Sequence, residues 1–320
     1  MGWPAAPGEP GFRPFHAGAY QELPPTPRQP HAYEDADGHD VQLSSAPFGR
    51  TSIHVKTMGQ GPPLLLIHGL MTSSYSWRYV LAPLAEHFTV YAPDLPGAGR
   101  SDAPLGGDWS AMGTATLIRE LQAELGIVGC PCIGNSMGGY LSLWAMEQDP
   151  ACFSRLVVLH APGVPELRLW ALRLALSIPG AYGVLDWLVR RDPRKWAFDN
   201  VHYWDESLKS GEEADAYAAP LRTAEGRAAF ARMLHRTLHP GDMARLGARL
   251  RARTERFDER VRLVYVPKDP MVPPSVGPRV AALLPGATLS WLDEGSHFAH
   301  VDRPELFLAD ALPFLQGALS

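Results

Sequence analysis

Residues 130–148 read CPCIGNSMGGYLSLWAMEQ, and this stretch decides the fold. A short apolar segment, 130–133, leads into Gly134-Asn135-Ser136-Met137-Gly138, and a helical pattern follows from Gly139. G-x-S-x-G between a strand and a helix places its serine on a sharp turn above the sheet edge. Such a turn is crowded by neighbours two positions away, and glycines at 134 and 138 remove their side chains. Gly139 lets the helix pack closely on the strand. Pro131 has no N–H to donate and is unusual in a central strand. Cys130 and Cys132 flank it at C-x-C spacing, poor for zinc, and read as small core residues.

Outward from this turn the chain alternates strand and helix. Strand-like runs lie at 50–57, 64–67, 89–92, 153–159, 261–266 and 287–292. Helical patterns lie at 79–87, 112–125, 139–148, 275–284 and 304–315. The run Leu64-Leu65-Leu66-Ile67 is apolar without alternation, as in a strand buried on both faces. Strands separated by helices pair in parallel through right-handed crossovers, which predicts an α/β fold with a mostly parallel, doubly wound sheet. Residues 162–240 break the rhythm with helical patterns and no strand, and read as a helical cap inserted over the carboxyl edge. The core is then 41–161 with 241–320, and 1–40 is an N-terminal extension.

That extension holds eight prolines and four glycines within residues 1–30 and reads as a polyproline-like tail, mobile or laid along the surface. Met1-Gly2 lacks the Ser or Thr that a myristoylation signal places further on. With 320 residues, the chain buries roughly three quarters of its unfolded surface and needs no metal or disulfide staple. A net charge of −5 gives no electrostatic case for nucleic acid. Three cysteines cannot build a disulfide framework and point to a reducing, cytoplasmic compartment. No apolar run is long enough for a membrane span. Oligomeric state leaves no signal in the sequence.

A nucleophilic serine needs a base, and the base an orienting acid. Lys268-Asp269 ends the run 261–266 at the sheet's carboxyl edge, and Gly295-Ser296-His297-Phe298 follows the last strand. Ser136, Asp269 and His297 occur in the chain order of a hydrolase sheet, with Ser136 as nucleophile, His297 as base and Asp269 as its orienting acid. His300 is an alternative base, less closely preceded by the turn glycine. Asp293 and Glu294 share the loop of His297 and are poorly placed as acids. The strand 153–159 ends in His160-Ala161-Pro162, with no carboxylate. Backbone amides of Met137 and of Leu70, in His68-Gly69-Leu70-Met71, are the candidate oxyanion donors. His68 reads as a shaper of that loop.

Five segments together resemble the α/β-hydrolase superfamily from about residue 50 to the carboxyl terminus: HGLM (68–71), DLPGAGRSD (94–102), GNSMGG (134–139), PKDPMVP (267–273) and GSHFAHVDRPELF (295–307). The resemblance implies that residues 94–102 form a structural loop after the fourth strand, and it implies the helical cap. Residues 74–88 are similar to haloalkane dehalogenases and epoxide hydrolases, whose nucleophile is Asp, and Ser136 argues against both activities. The elbow is also similar to that of C–C bond hydrolases acting on ring-fission products. Those carry a glycine-rich loop where this chain has Leu70-Met71-Thr72-Ser73-Ser74, and a Trp where it has Phe298.

Three readings follow. The first is a serine carboxylesterase working through an acyl-enzyme on a small-molecule ester, with no cofactor and no metal. The second is C–C bond hydrolysis, with Arg168, Arg173, Arg190 or Arg191 holding a substrate carboxylate. The third is a non-catalytic binding protein on a hydrolase scaffold, which the intact Ser, Asp and His disfavour. Trp170, Trp187, Trp204 and Phe298 are candidate substrate contacts, though aromatics at helical spacing also pack a cap onto its body. His235 and His239 stand at a metal-ligand spacing but lack the adjacent glutamate of a zinc peptidase. Seven arginines at 245–262, interleaved with Glu255, Asp258 and Glu259, read as a solvated helix.

Overall fold

The computed structural model describes residues 3–254 and 256–317; Met1-Gly2, Glu255 and Ala318-Leu319-Ser320 lie outside the described residues. Eight strands form one sheet: β1 (Asp37–Ser45), β2 (Gly49–Met58), β3 (Pro63–Ile67), β4 (Thr89–Pro93), β5 (Cys132–Asn135), β6 (Leu156–Leu159), β7 (Val261–Tyr265) and β8 (Thr288–Trp291). Their spatial order is β1-β2-β4-β3-β5-β6-β7-β8. From β4 to β8 every pair is parallel, while β2 runs antiparallel to both β1 and β4. β1 is absent from the sequence reading and begins at Asp37, inside the span 1–40 assigned to the extension.

Helices cover both faces: α1 (Leu81–Ala85), α2 (Ala111–Glu124), α3 (Met137–Gln148), α4 (Leu167–Ser177), α5 (Ala181–Arg191), α6 (Pro193–Asn200), α7 (Gly211–Ala218), α8 (Ala224–Arg232), α9 (Pro240–Ala252), α10 (Val276–Ala281), α11 (Ala299–Asp302) and α12 (Pro304–Gln316). The period-2 geometry of β3 divides its side chains between two cores. Leu65 and Ile67 join Leu141, Trp144 and Leu246 on one face. Leu64 and Leu66 join Trp77, Leu81 and Phe307 on the other. Pro131 falls just ahead of β5, where its carbonyl accepts from Leu65 N at 3.0 Å, so its missing N–H costs the ladder nothing. All three cysteines are buried free thiols.

Helices α4 to α8 all lie between β6 and β7. A buried ion pair, Arg78 with Glu213, ties α7 to the loop after β3, and Tyr203 Oη donates to the same carboxylate at 2.7 Å. Residues 3–30 are fastened to the body at several points. Trp3 Nε1 donates to Ser207 O (3.1 Å), Phe15 N to Trp204 O (3.1 Å), and Gly211 N to Pro24 O (2.7 Å). The arginines at 245–262 likewise do more than face solvent. Arg249 pairs with Glu147 at 2.8 Å and Arg262 with Asp310 at 2.6 Å, joining α9 to α3 and β7 to α12.

Candidate active site

Ser136 links β5 to α3 with φ +53° and ψ −120°, a left-handed conformation costly for any residue but glycine. The surrounding glycines make it possible. A Cβ on Gly134 would stand 2.6 Å from Gly139 Cα, and one on Gly138 would collide with the Ile67 carbonyl. Met137 is the first residue of α3, so its amide lies outside the helix's own hydrogen-bond ladder and at its positive end.

His297 and Asp269 meet from two different strand ends. His297 Nδ1 lies 2.7 Å from Asp269 Oδ2, and both groups are buried. Oδ1 of Asp269 accepts from Met271 N (2.6 Å) and Val272 N (2.8 Å), so the loop after β7 fixes the carboxylate. Burial pushes the Asp269 carboxyl up, but the positive field of His297 and contacts from His160 and His297 outweigh it and hold the group well below the usual range. This carboxylate is ionised throughout the physiological range.

Ser136 and His297 line one cavity of about 250 Å³, together with Leu70, Leu169, Leu172, Leu234, Met271 and Phe298. Arg168 brings a cation to the wall. Of the four aromatics expected to contact substrate, Phe298 lines this cavity and the three tryptophans do not. Trp170 is half exposed and meets His239, Trp187 is half exposed beneath Arg191, and Trp204 meets Phe12 and Arg303. Helical spacing marks an apolar face without naming what that face meets. Leucines of α4 line the cavity instead.

The other singled-out residues have structural partners. His68 Nε2 accepts from Leu95 N at 2.8 Å, which places its proton on Nδ1, donated to Gly69 O at 2.7 Å. Asp94 accepts from Ser74 N and Arg100 N, closing the loop after β4. His300 is fully buried beside Trp77 and does not line the cavity that Ser136 and His297 share. His235 contacts Tyr182 Oη and Ser177 Oγ, while His239 caps α9 by accepting from Asp242 N.

Two residues were missed. Asn135 Nδ2 donates to His297 O at 3.0 Å, steadying the loop that carries the imidazole. His160, at φ +56°, ends β6 and brings Nδ1 to 3.2 Å from Asp269 Oδ2, angled away from a straight hydrogen bond. Its signal was its position at a strand's carboxyl end. Among the described residues, His160, Asp269 and His297 are also the one group with atoms close enough to share a cation, within 4.8 Å of one another. The carboxylate there is already engaged by two amides and His297.

A serine elbow, a buried His–Asp pair and a helix-covered cavity on this sheet define an α/β hydrolase. The family model for the alpha/beta hydrolase fold matches residues 62–304, and the chain belongs to that family. It is 27% identical over 255 residues to the uncharacterised hydrolase YugF of Bacillus subtilis (strain 168), covering 79% of this chain and 89% of that protein. Among solved structures it is similar to the epoxide hydrolase CorEH (TM-score 0.69, 21% identity, 88% of this chain and 99% of that one). It is also similar to a thermophilic esterase from Thermogutta terrifontis (TM-score 0.68, 19% identity, 88% of this chain and 100% of that one). At these identities the structural likeness establishes the fold.

Proposed function

We propose that this chain is a serine carboxylesterase. The observation that carries the reading is the meeting of Ser136 and His297 at one apolar cavity, with His297 oriented by an ionised Asp269. Ser136 Oγ attacks the ester carbonyl while His297 takes its proton, and Asp269 stabilises the imidazolium. The Met137 and Leu70 amides hold the oxyanion, each worth ~2.7–4 kcal/mol in comparable sites. His297 then protonates the departing alcohol, and water, activated by the same base, releases the acid. No cofactor enters this sequence. The leucine-lined wall favours an uncharged, moderately apolar acyl group. A serine at the elbow, in place of aspartate, disfavours epoxide opening.

Arg168 at the cavity wall favours a second reading, hydrolysis of a C–C bond in a substrate bearing a carboxylate. Turnover of a p-nitrophenyl ester series, beside a ring-fission diketone acid, separates the two. Ester cleavage should dominate and vanish in Ser136→Ala. Ester activity that survives this substitution defeats the mechanism, and ring-fission turnover without ester turnover favours the second reading.

A further inference from the structure

Among the described residues, seven of the eleven exposed large apolar side chains lie on one helical hairpin, α4–α5. They are Leu167, Trp170, Leu174 and Ile178, then Val184, Trp187 and Leu188. α4 buries none of its residues completely, and α5 buries Val189. Their spacing, at three and four residues, makes each exposed set one helix face. A solvated surface helix carries polar residues there, so this hairpin is missing something that covers it.

Charge says what that is. Outside the cavity wall, where Arg168 sits, residues 167–191 hold Arg173, Arg190 and Arg191 against one acid, Asp186, which is tied to Arg227, in a chain whose net charge is −5. Arg191 stacks over the Trp187 ring at 4.7 Å, placing a guanidinium beside an exposed indole. Apolar and aromatic residues edged by arginine on an amphipathic helix suit the boundary of an anionic lipid layer. A second copy of the chain fits less well, because a two-fold contact brings two copies of the same positively charged hairpin together. The length and bend of α4 and α5 suit helices that lie on such a layer rather than cross it. Each has eleven residues, about 16 Å against a ~30 Å hydrocarbon core, and they bend by 100° at their junction.

We propose that α4–α5 is an interfacial element that docks the protein on anionic lipid surfaces. α4 also supplies Arg168, Leu169 and Leu172 to the cavity wall, so the docked face and the cavity share one helix. Docking itself does not depend on the reaction assigned to Ser136.

Flotation with vesicles of phosphatidylcholine, alone or mixed with phosphatidylglycerol, tests this on the full chain. The protein should float with the mixed vesicles, bind neutral ones at least about tenfold less, and be released by salt. Leu174→Ser/Trp187→Ser/Leu188→Ser should lower binding about tenfold or more while keeping turnover of a water-soluble ester. Ser136→Ala should bind as the parent does, which separates docking from catalysis. Absence of flotation, equal binding to neutral vesicles, or undiminished binding by the triple variant overturns the proposal. So does a concentration-dependent dimer that the triple variant abolishes without any vesicle binding.

Discussion

His160 Nδ1 stands 3.2 Å from Asp269 Oδ2, the same oxygen that lies 2.7 Å from His297 Nδ1. One carboxylate oxygen thus lies near two imidazoles, of which only His297 hydrogen-bonds to it, and burial keeps His160 neutral beside it. His160 is a positioning residue: it touches Asp269 beside the imidazole of His297. His160→Gly removes the imidazole and relieves the positive φ. It should lower kcat about tenfold with KM little changed, because a slightly misplaced acid penalises the transition state above all. Asn tolerates the left-handed backbone and keeps an N–H donor, so His160→Asn should recover most of the loss. A change confined to KM, or no rescue by Asn, contradicts this role.

Gly138 has no room for a methyl group, since the obstructing atom is the Ile67 backbone carbonyl rather than a side-chain tip. Gly138→Ala should therefore destabilise by at least about 3 kcal/mol, beyond ordinary overpacking. Denaturant unfolding measures it. A loss below about 1 kcal/mol would show that the elbow relaxes more easily than its packing implies.

Arg78 and Glu213 are buried and joined, with Tyr203 on the same carboxylate. Removing one partner leaves an unpaired charge, so Arg78→Met alone should cost about 3–5 kcal/mol. Arg78→Met/Glu213→Met should recover much of that stability, since the pair's attraction mainly offsets its own desolvation. Thermal unfolding of the single and double variants decides between this and a pair that stabilises outright.

Asp302 accepts from Trp204 N (2.6 Å) and more distantly from Ser296 N (3.3 Å), and burial pushes its carboxyl up to about 7. Unfolded, it titrates near 3.9. Between roughly pH 4 and pH 7 the folded state binds the extra proton, so this group's contribution falls as pH rises through that window. The melting temperature should drop by a few degrees across it, and Asp302→Asn should flatten that slope. An unchanged slope in the variant would assign the dependence to other groups.

How much of this was readable before folding depends on what each residue needs from its neighbours. The elbow glycines announce themselves because a sterically impossible Cβ leaves a fixed local pattern, and Asp269 and His297 each follow a strand at its carboxyl end. The unalternating Leu64–Ile67 run carried the parallel sheet. β1 was invisible because its exposed positions, Asp37, His39 and Asp40 among them, lack an apolar period over the first half. Trp204 could not be placed because its partners, Phe12 and Arg303, come from opposite ends of the chain. His160 acts through one contact, and a single contact has no period.

The proline-rich arm gives the chain a second grip on its own inserted helices. It departs from the edge strand β1 and reaches residues 204–212, so those helices are held by a covalent tether as well as by their own junctions. A tether of this length keeps the arm at an effective concentration of order millimolar. One proteolytic cut just ahead of β1 would dilute it to the concentration of a free peptide, leaving the sheet intact. The enzyme's covering would then depend on mass action, and restoring it would take the severed segment at comparable millimolar levels.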